Sequence, residues 1–298
     1  MPPAARVQVE VEGRQLSLSN LDKVMYPLSG FTKGQVIDYY TRVAPVLLPH
    51  LRDRPLTLKR YPNGVGGAYF YEKQCPDHRP DWVQTAEIRM ESKDINFCLC
   101  NDLPTLVWAA NLADLEIHPS LSKADRMERP TTMAFDLDPG EPATIKECCD
   151  VALLLRDVLE PLGLQSFPKT SGSKGMQLYV PLNTDVTYAE VRPLSQALAR
   201  HLEAQYPKLI VSVQRKELRR GKVLIDWSQN HEKKTTVSVY SLRAREHPTV
   251  STPLSWEEVE ARDPSGLAFE SHDVLERVEE HGDLFAPVVE LEQELPEL

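Results

Sequence analysis

The chain has 298 residues, enough for one large domain or two ordinary ones. Hydrophobic residues make up 41% and charged residues 26%, which excludes a disordered polymer, and no run approaches the ~18 consecutive apolar residues of a membrane span. The formal net charge of −10 is unevenly placed: Ser251 to Leu298 carries fourteen Asp/Glu against two Arg, while Lys208 to Arg245 holds ten Lys/Arg against three acids. The acidic total therefore does not exclude a phosphate-rich partner.

The opening MPPAARVQVEVEGR has no apolar h-region, which argues against a secretory signal. A first strand is expected at Gln15–Leu18. Thr32 with Gln35 forms a capping box that opens a helix toward Leu51, with Val36, Tyr40, Val43 and Leu47 on one face. Short β-branched or aromatic strands follow at Leu56–Arg60, Ala68–Tyr71, Glu87–Met90, Asn96–Leu99 and Leu115–His118. A polar, charged break at Pro119–Pro130 leads to a strand at Thr132–Asp138. Thr144 with Glu147 opens a second helix, which stops near Gly163. A strand at Met176–Val180 precedes a third helix, from Thr187 with Glu190 to just before Pro207. Strands are expected at Leu209–Val213, Val223–Asp226 and Thr236–Tyr240. In the acidic tail, Ser255 with Glu258 starts a short helix and Leu275–Val278 marks another. This mixed order predicts an α+β fold with largely antiparallel sheets rather than a regular βαβ series. The five cysteines (Cys75, Cys98, Cys100, Cys148, Cys149) are odd in number and contain no CxxC pair, so reduced thiols of a cytosolic protein are expected, not a disulfide framework or a zinc site.

The strongest chemical signal is TTMAFDLDPG, Thr131 to Gly140. Alternate side chains of a strand share a face, so Phe135 and Leu137 point one way and Asp136 and Asp138 the other, roughly 6–7 Å apart at Cα. Such a pair suits divalent cations, although DxD alone also describes a solvated strand end. KVLIDWSQ, Lys222 to Gln229, ends a second apolar strand in Asp226, which either caps a turn or adds a third carboxylate. Three carboxylates on neighbouring strand ends would hold two Mg²⁺ or Mn²⁺ ions. KTSGSKG, Lys169 to Gly175, combines Gly, Ser and Lys174 as a phosphate loop does, and also as an ordinary hairpin does. It is not a Walker A loop. Arg243 and Arg245 lie on one face of YSLRAR, where two guanidinium forks suit a triphosphate or simply meet solvent.

Taken together, FDLDPG, TSGSKG, VLIDWSQN and YSLRAR resemble the polymerase domain of bacterial ligase D, a member of the archaeo-eukaryotic primase superfamily. NLDKVMYP, TKGQVIDYY, RPLTLKRYPNG, YFYEKQ, LEIHPS and HPTV are similar to the same family, in the expected order from about Leu16 to Glu279. The resemblance implies a single primase-polymerase domain with an RRM-like catalytic palm sheet and a second packed mixed or antiparallel sheet, helices outside. Its parts would be an N-terminal module (1–118) for 5′-phosphate and template contacts, a palm (119–250) and an acidic helical segment (251–298). The implied activity is template-directed nucleotidyl transfer at gaps and double-strand-break ends in non-homologous end joining, with ribonucleotides and Mn²⁺ preferred. By motif position, Asp136, Asp138 and Asp226 match the metal-binding carboxylates. Lys59, His118, Ser171, Lys174, Arg219, Gln229, Arg243 and Arg245 match nucleotide contacts. Phe70 and Tyr71 match aromatics near the templating base, with core packing the other reading of Tyr71. Lys23 and Lys33 match lysines that hold the 5′-phosphate of a downstream strand. Implied partners are DNA with recessed or gapped 5′-phosphorylated ends, nucleoside triphosphates, Ku and a DNA ligase, in the cytoplasm at the nucleoid and away from any membrane.

The chain departs from that family in a short, charged Leu121–Arg129 connection and in Tyr71, where Phe is common. Ligase and phosphoesterase parts are absent from these residues, as in a free-standing relative or a single domain of a split system. Three other functions share part of the signature. A non-catalytic DNA-end-binding module would need no carboxylate triad, a two-metal nuclease would need no triphosphate loop, and a nucleotidyl cyclase would need no DNA.

Overall fold

A computed structural model describes residues 6–296. The chain opens with a hairpin of β1 (Arg6–Val11) and β2 (Arg14–Ser19), turned at Glu12 and Gly13, both at positive φ. Sequence reasoning missed β1 although Val7, Val9 and Val11 alternate. A small ribbon of β3 (Val24–Tyr26) and β4 (Phe31–Thr32) leads into α1 (Lys33–Leu51). The Thr32–Gln35 box closes both ways, with Gln35 N–H donating to Thr32 Oγ1 at 3.3 Å and Thr32 N–H to Gln35 Oε1 at 2.8 Å.

β5 (Pro55–Arg60), β6 (Phe70–Glu72), β7 (Thr85–Arg89) and β8 (Asp94–Leu99) make a sheet in the order β6-β5-β8-β7. The buried stripe of α1 packs beside α2 (Leu103–Asn111), and β9 (Asp114–Pro119) joins the sheet antiparallel to β5. Helix α2 was not expected. Asp102 caps it, accepting from Thr105 N–H at 2.9 Å, but no Glu or Gln completes a capping box, and almost every residue is buried, so no amphipathic period shows.

The second sheet is built from β10 (Thr132–Pro139), then, after α3 (Ile145–Leu159), β11 (Phe167–Thr170) and β12 (Met176–Pro181). After α4 (Tyr188–Gln205), β13 (Ile210–Val211) and β14 (Val223–Asp226) complete it. Its order is β11-β12-β10-β14-β13, antiparallel except for the last pair. The expected capping boxes of Thr144 and Thr187 open α3 and α4. Met133, Phe135 and Leu137 of β10 pack into one core with Val151 and Leu155 of α3 and Val191 and Leu198 of α4. The opposite face of β10 carries Ala134, Asp136 and Asp138. This α+β architecture is the one expected.

The other core joins residues of β2, α1, β5, α2 and β9 to Tyr240, Leu242, Val250, Val274, Leu275, Phe285 and Val288. The acidic segment contributes α5 (Trp256–Ala261), α6 (Ser271–His281) and α7 (Pro287–Glu290). Asp283 fastens it, accepting from Tyr240 OH at 2.6 Å and meeting His50 Nε2 at 2.8 Å. Among the described residues no helix is long and apolar enough to cross a membrane.

Two expectations fail. Thr236–Tyr240 is not a strand. It runs beside β9, with Ser238 N–H donating to Ile117 O at 2.9 Å, but Ser241 Oγ takes the Ile117 N–H, and Tyr240 turns to φ 62°. A side-chain acceptor thus replaces the ladder. Cys75 and Cys98 are joined as a disulfide rather than free, their Cα atoms 5.0 Å apart, where Cys75 N–H donates to Asn96 O and lays the loop after β6 against β8. Cys100, Cys148 and Cys149 are free and buried.

Candidate active site

Strand pairing assembles the carboxylates. Asp136 lies directly opposite Asp226 on β14 and opposite Gln177 on β12, and Asp138 follows two residues along the same face. Directly opposed residues share a face, with Cβ atoms roughly 4.5–5.5 Å apart. Asp136 and Asp138 line a cavity of about 430 Å³, whose other walls include His118, Ser171, Lys174, Arg219, Gln229, Arg243 and Arg245. Nine of the residues singled out from sequence therefore meet around one space. Asp226 is buried beneath it and also caps its own turn. Its Oδ1 accepts from Ser228 N–H (2.9 Å) and Ser228 Oγ (2.6 Å), and its Oδ2 from Gln229 Nε2 (2.8 Å). Among the described residues no three acidic, His or Cys side chains already stand in ligating geometry.

Crowding and burial disfavour the ionised forms of Asp136 and Asp138. Burial first, then Asp138 and Asp226, push the Asp136 carboxyl up to about 7, against the Gln177 hydrogen bond and the Lys169 charge. Asp138 is also raised, by burial and by Asp226, with Arg219 and Arg243 opposing. Crowded oxygen donors that resist ionisation fit a hard divalent ion such as Mg²⁺ or Mn²⁺.

Beside the acids runs the Lys169–Gly175 loop, which enters β12 where Met176 pairs with Leu137. Gly172 takes φ 65°, and a Cβ there would lie 2.6 Å from the Val250 backbone, so only glycine lets the loop pass this close. Ser171 Oγ accepts from Ser173 N–H and Gly175 N–H and holds the loop closed. Arg243 donates to Ser171 O, Arg245 to Ser173 Oγ, and Lys174 Nζ lies 2.8 Å from Glu141 on the exposed rim. Lys169 is wholly buried, and its Nζ donates to Gln177 Oε1 (2.6 Å), Ser251 Oγ (2.6 Å) and Val237 O (3.2 Å), while burial and Arg243 disfavour its charged form.

Lys59 lies next to the cavity, its Nζ 3.0 Å from the buried Glu116 carboxylate. Tyr71 is 57% exposed, which rules out core packing, and it meets His118 edge-on at 6.1 Å, while exposed Phe70 covers the Arg60 guanidinium at 5.2 Å. Sequence reasoning missed Tyr69, which stacks on Tyr61 at 5.2 Å under Lys59. Lys23 and Lys33 are not at the cavity. Lys23 Nζ donates to Pro62 O (2.6 Å) and Asn63 Oδ1 (3.1 Å), and Lys33 Nζ to Ser19 O (2.7 Å). Burial, Lys23 and Arg60 bring Lys33 down to about 8, so this is a separate cluster of positive charge on the N-terminal part. Glu116 was also missed. Its signal was its place two residues before His118, on the same face of one strand.

Acids at the centre of a mixed sheet, with a glycine-containing loop and two arginines beside them, form a site suited to nucleotidyl transfer. Residues 32–285 match the family described as the LigD primase-polymerase domain, and the chain belongs to that family. It is 42% identical, over 92% of its length, to the multifunctional non-homologous end joining protein LigD of Mycolicibacterium smegmatis. It is 33% identical, over 90% of its length, to the bifunctional LigD protein of Bacillus subtilis. The chain spans 36% and 43% of those relatives. The solved polymerase domain of Mycobacterium tuberculosis ligase D, in complex with DNA, superposes with a TM-score of 0.87 at 39% identity, covering 93% of this chain and 99% of that one.

Proposed function

We propose that this chain is a template-directed polymerase that adds nucleotides, ribonucleotides by preference, to primer 3′-hydroxyls at gaps and broken DNA ends during end joining. The observation that carries the reading is the meeting of Asp136 and Asp138 with Arg243, Arg245, Lys174 and His118 around one cavity. Support for a DNA substrate comes from the similar domain solved with DNA. Asp136, Asp138 and Asp226 would hold two Mn²⁺ or Mg²⁺ ions, Asp226 by turning from Ser228 and Gln229. The chemistry such ions would supply there is a lowered pKa for the attacking hydroxyl and compensation of charge on the departing pyrophosphate.

The rest falls to the protein's own side chains. Lys174, Arg219, Arg243 and Arg245 bind the triphosphate beside the acids, Arg219 next to Asp138, and Ser171 shapes the loop. His118 and Gln229 contact the nucleotide between them, and Lys59 supports that side through Glu116. Phe70 and Tyr71 offer exposed ring faces to a template base. Lys23 and Lys33, outside the cavity, grip a downstream 5′-phosphate. Ku and a ligase are the partners this reading brings with it, at the nucleoid of the cytoplasm.

The test is extension of a gapped, 5′-phosphorylated duplex with Mn²⁺ or Mg²⁺. Asp136→Ala should reduce incorporation at least ~100-fold, and a loss below ~10-fold contradicts the metal assignment. DNA degradation without added nucleotide would identify a nuclease instead, and end binding without incorporation a non-catalytic module.

A further inference from the structure

Glu116 is the most densely partnered carboxylate near the cavity, and although it lies in the LEIHPS segment, sequence reasoning assigned it no role. Its side chain is 3% exposed. Oε2 meets Lys59 Nζ at 3.0 Å, His118 Nε2 at 3.1 Å and Arg243 Nε at 3.4 Å. Oε1 accepts from Ala244 N–H at 3.0 Å and Tyr61 OH at 3.3 Å. These contacts tie β5, β9 and the Arg243–Arg245 segment to one point. We propose that Glu116 is the positioning residue of the nucleotide side of the cavity, holding Lys59, His118 and Arg243 in one array and fixing His118 as its Nε2–H tautomer, so that Nδ1 is offered to a hydroxyl of the nucleotide sugar. The inference rests on the polymerase reading above.

The tautomer follows from donor chemistry. An ionised carboxylate has no proton to give, so the ring nitrogen facing it must donate. Burial alone would raise Glu116, but the His118 hydrogen bond and the Arg243 and Lys59 charges outweigh it and hold the carboxyl well below the usual range. Burial lowers His118, and Arg243 and Lys59 lower it further, against the pull of Glu116. Burial and the positive neighbours thus disfavour a second proton on His118, and the one facing Glu116 sits on Nε2. No protein group among the described residues pairs with Nδ1, and the ring lines the cavity, so the free nitrogen is a lone-pair acceptor matched to a hydroxyl donor. The charged and titratable groups around the pair are Lys59 on β5, Tyr61 after it, Tyr71 on β6 and Arg243. Glu116 leaves a net positive balance among them. Arg243, whose Nε forms an ion pair with Glu116 at 3.4 Å without a hydrogen bond, donates through Nη1 to the triphosphate-side loop at Ser171 O, so one carboxylate neighbours sugar and phosphate contacts together.

The test is steady-state extension of a gapped, 5′-phosphorylated duplex by wild type and Glu116→Gln, with ribo-, 2′-deoxy- and 3′-deoxynucleoside triphosphates. Losing a charge-assisted array should raise the KM for the ribonucleotide at least ~10-fold while kcat stays within about threefold. DNA affinity measured without nucleotide should not change, which a merely structural role would not predict. In wild type one deoxy analogue should bind at least about fivefold more weakly than the ribonucleotide, and Glu116→Gln should erase that difference. An unchanged KM, or a sugar preference that survives in the variant, overturns the inference and leaves the polymerase reading standing. No incorporation by wild type overturns both. The tautomer is read independently from ¹⁵N resonances of His118 in the wild-type protein, which stays informative if the variant does not fold. A proton on Nε2 alone is expected, and a proton on Nδ1 refutes the proposal.

Discussion

Asp136→Asn should separate stability from activity. In the metal-free protein the Asp136 carboxyl rises from its ordinary 3.8 to about 7 through burial and the neighbouring Asp138 and Asp226. Ionising it there costs the folded state up to about 4 kcal/mol relative to the unfolded chain. Because the folded state holds this proton more tightly, wild type loses stability as pH rises through this interval, and above the upper value the loss is complete. Asparagine keeps the shape and cannot ionise. In chelator at pH 8 the variant should be more stable than wild type by about 2–4 kcal/mol, with the gap closing toward pH 4. Urea unfolding followed by circular dichroism at both pH values measures this. Mn²⁺ should stabilise wild type and not the variant, and the variant should not incorporate nucleotide. A variant less stable than wild type at pH 8, or a gap independent of pH, refutes the view that these acids are strained until a cation joins them.

Other outcomes follow from the outlying residues. Lys23→Ala with Lys33→Ala should weaken binding to phosphorylated gaps and lower the salt slope by roughly 2, with little effect on hydroxyl-ended DNA, and equal loss on both substrates would remove the phosphate role. Lys33 ionises at about 8, so the 5′-phosphate advantage should fall by about tenfold between pH 7 and 9, as filter binding can show. Tyr71→Ala should cost about 1–3 kcal/mol in binding templated gaps, without loss of folding stability, since the ring is exposed. Reducing the bond between Cys75 and Cys98, 23 residues apart, should lower unfolding stability by about 3 kcal/mol, seen as a shifted urea midpoint.

Much of this protein was written in short-range patterns. The capping boxes at Thr32, Thr144, Thr187 and Ser255 each depend on two side chains within one helical turn, so the sequence alone determined where those helices start. The alternation in β10 depends only on the pleat, so it determined that Asp136 and Asp138 face away from Phe135 and Leu137. Tertiary structure decided which distant strands became neighbours. Nothing local places Asp226 opposite Asp136, buries Lys169, or brings Cys75 to Cys98. Those depend on sheet order and register, which the packing of two cores selects across long separations. The same holds for Glu116. Its neighbours Lys59 and Arg243 arrive from β5 and from the segment after β14, and only their convergence turns a strand glutamate into the hub of the site.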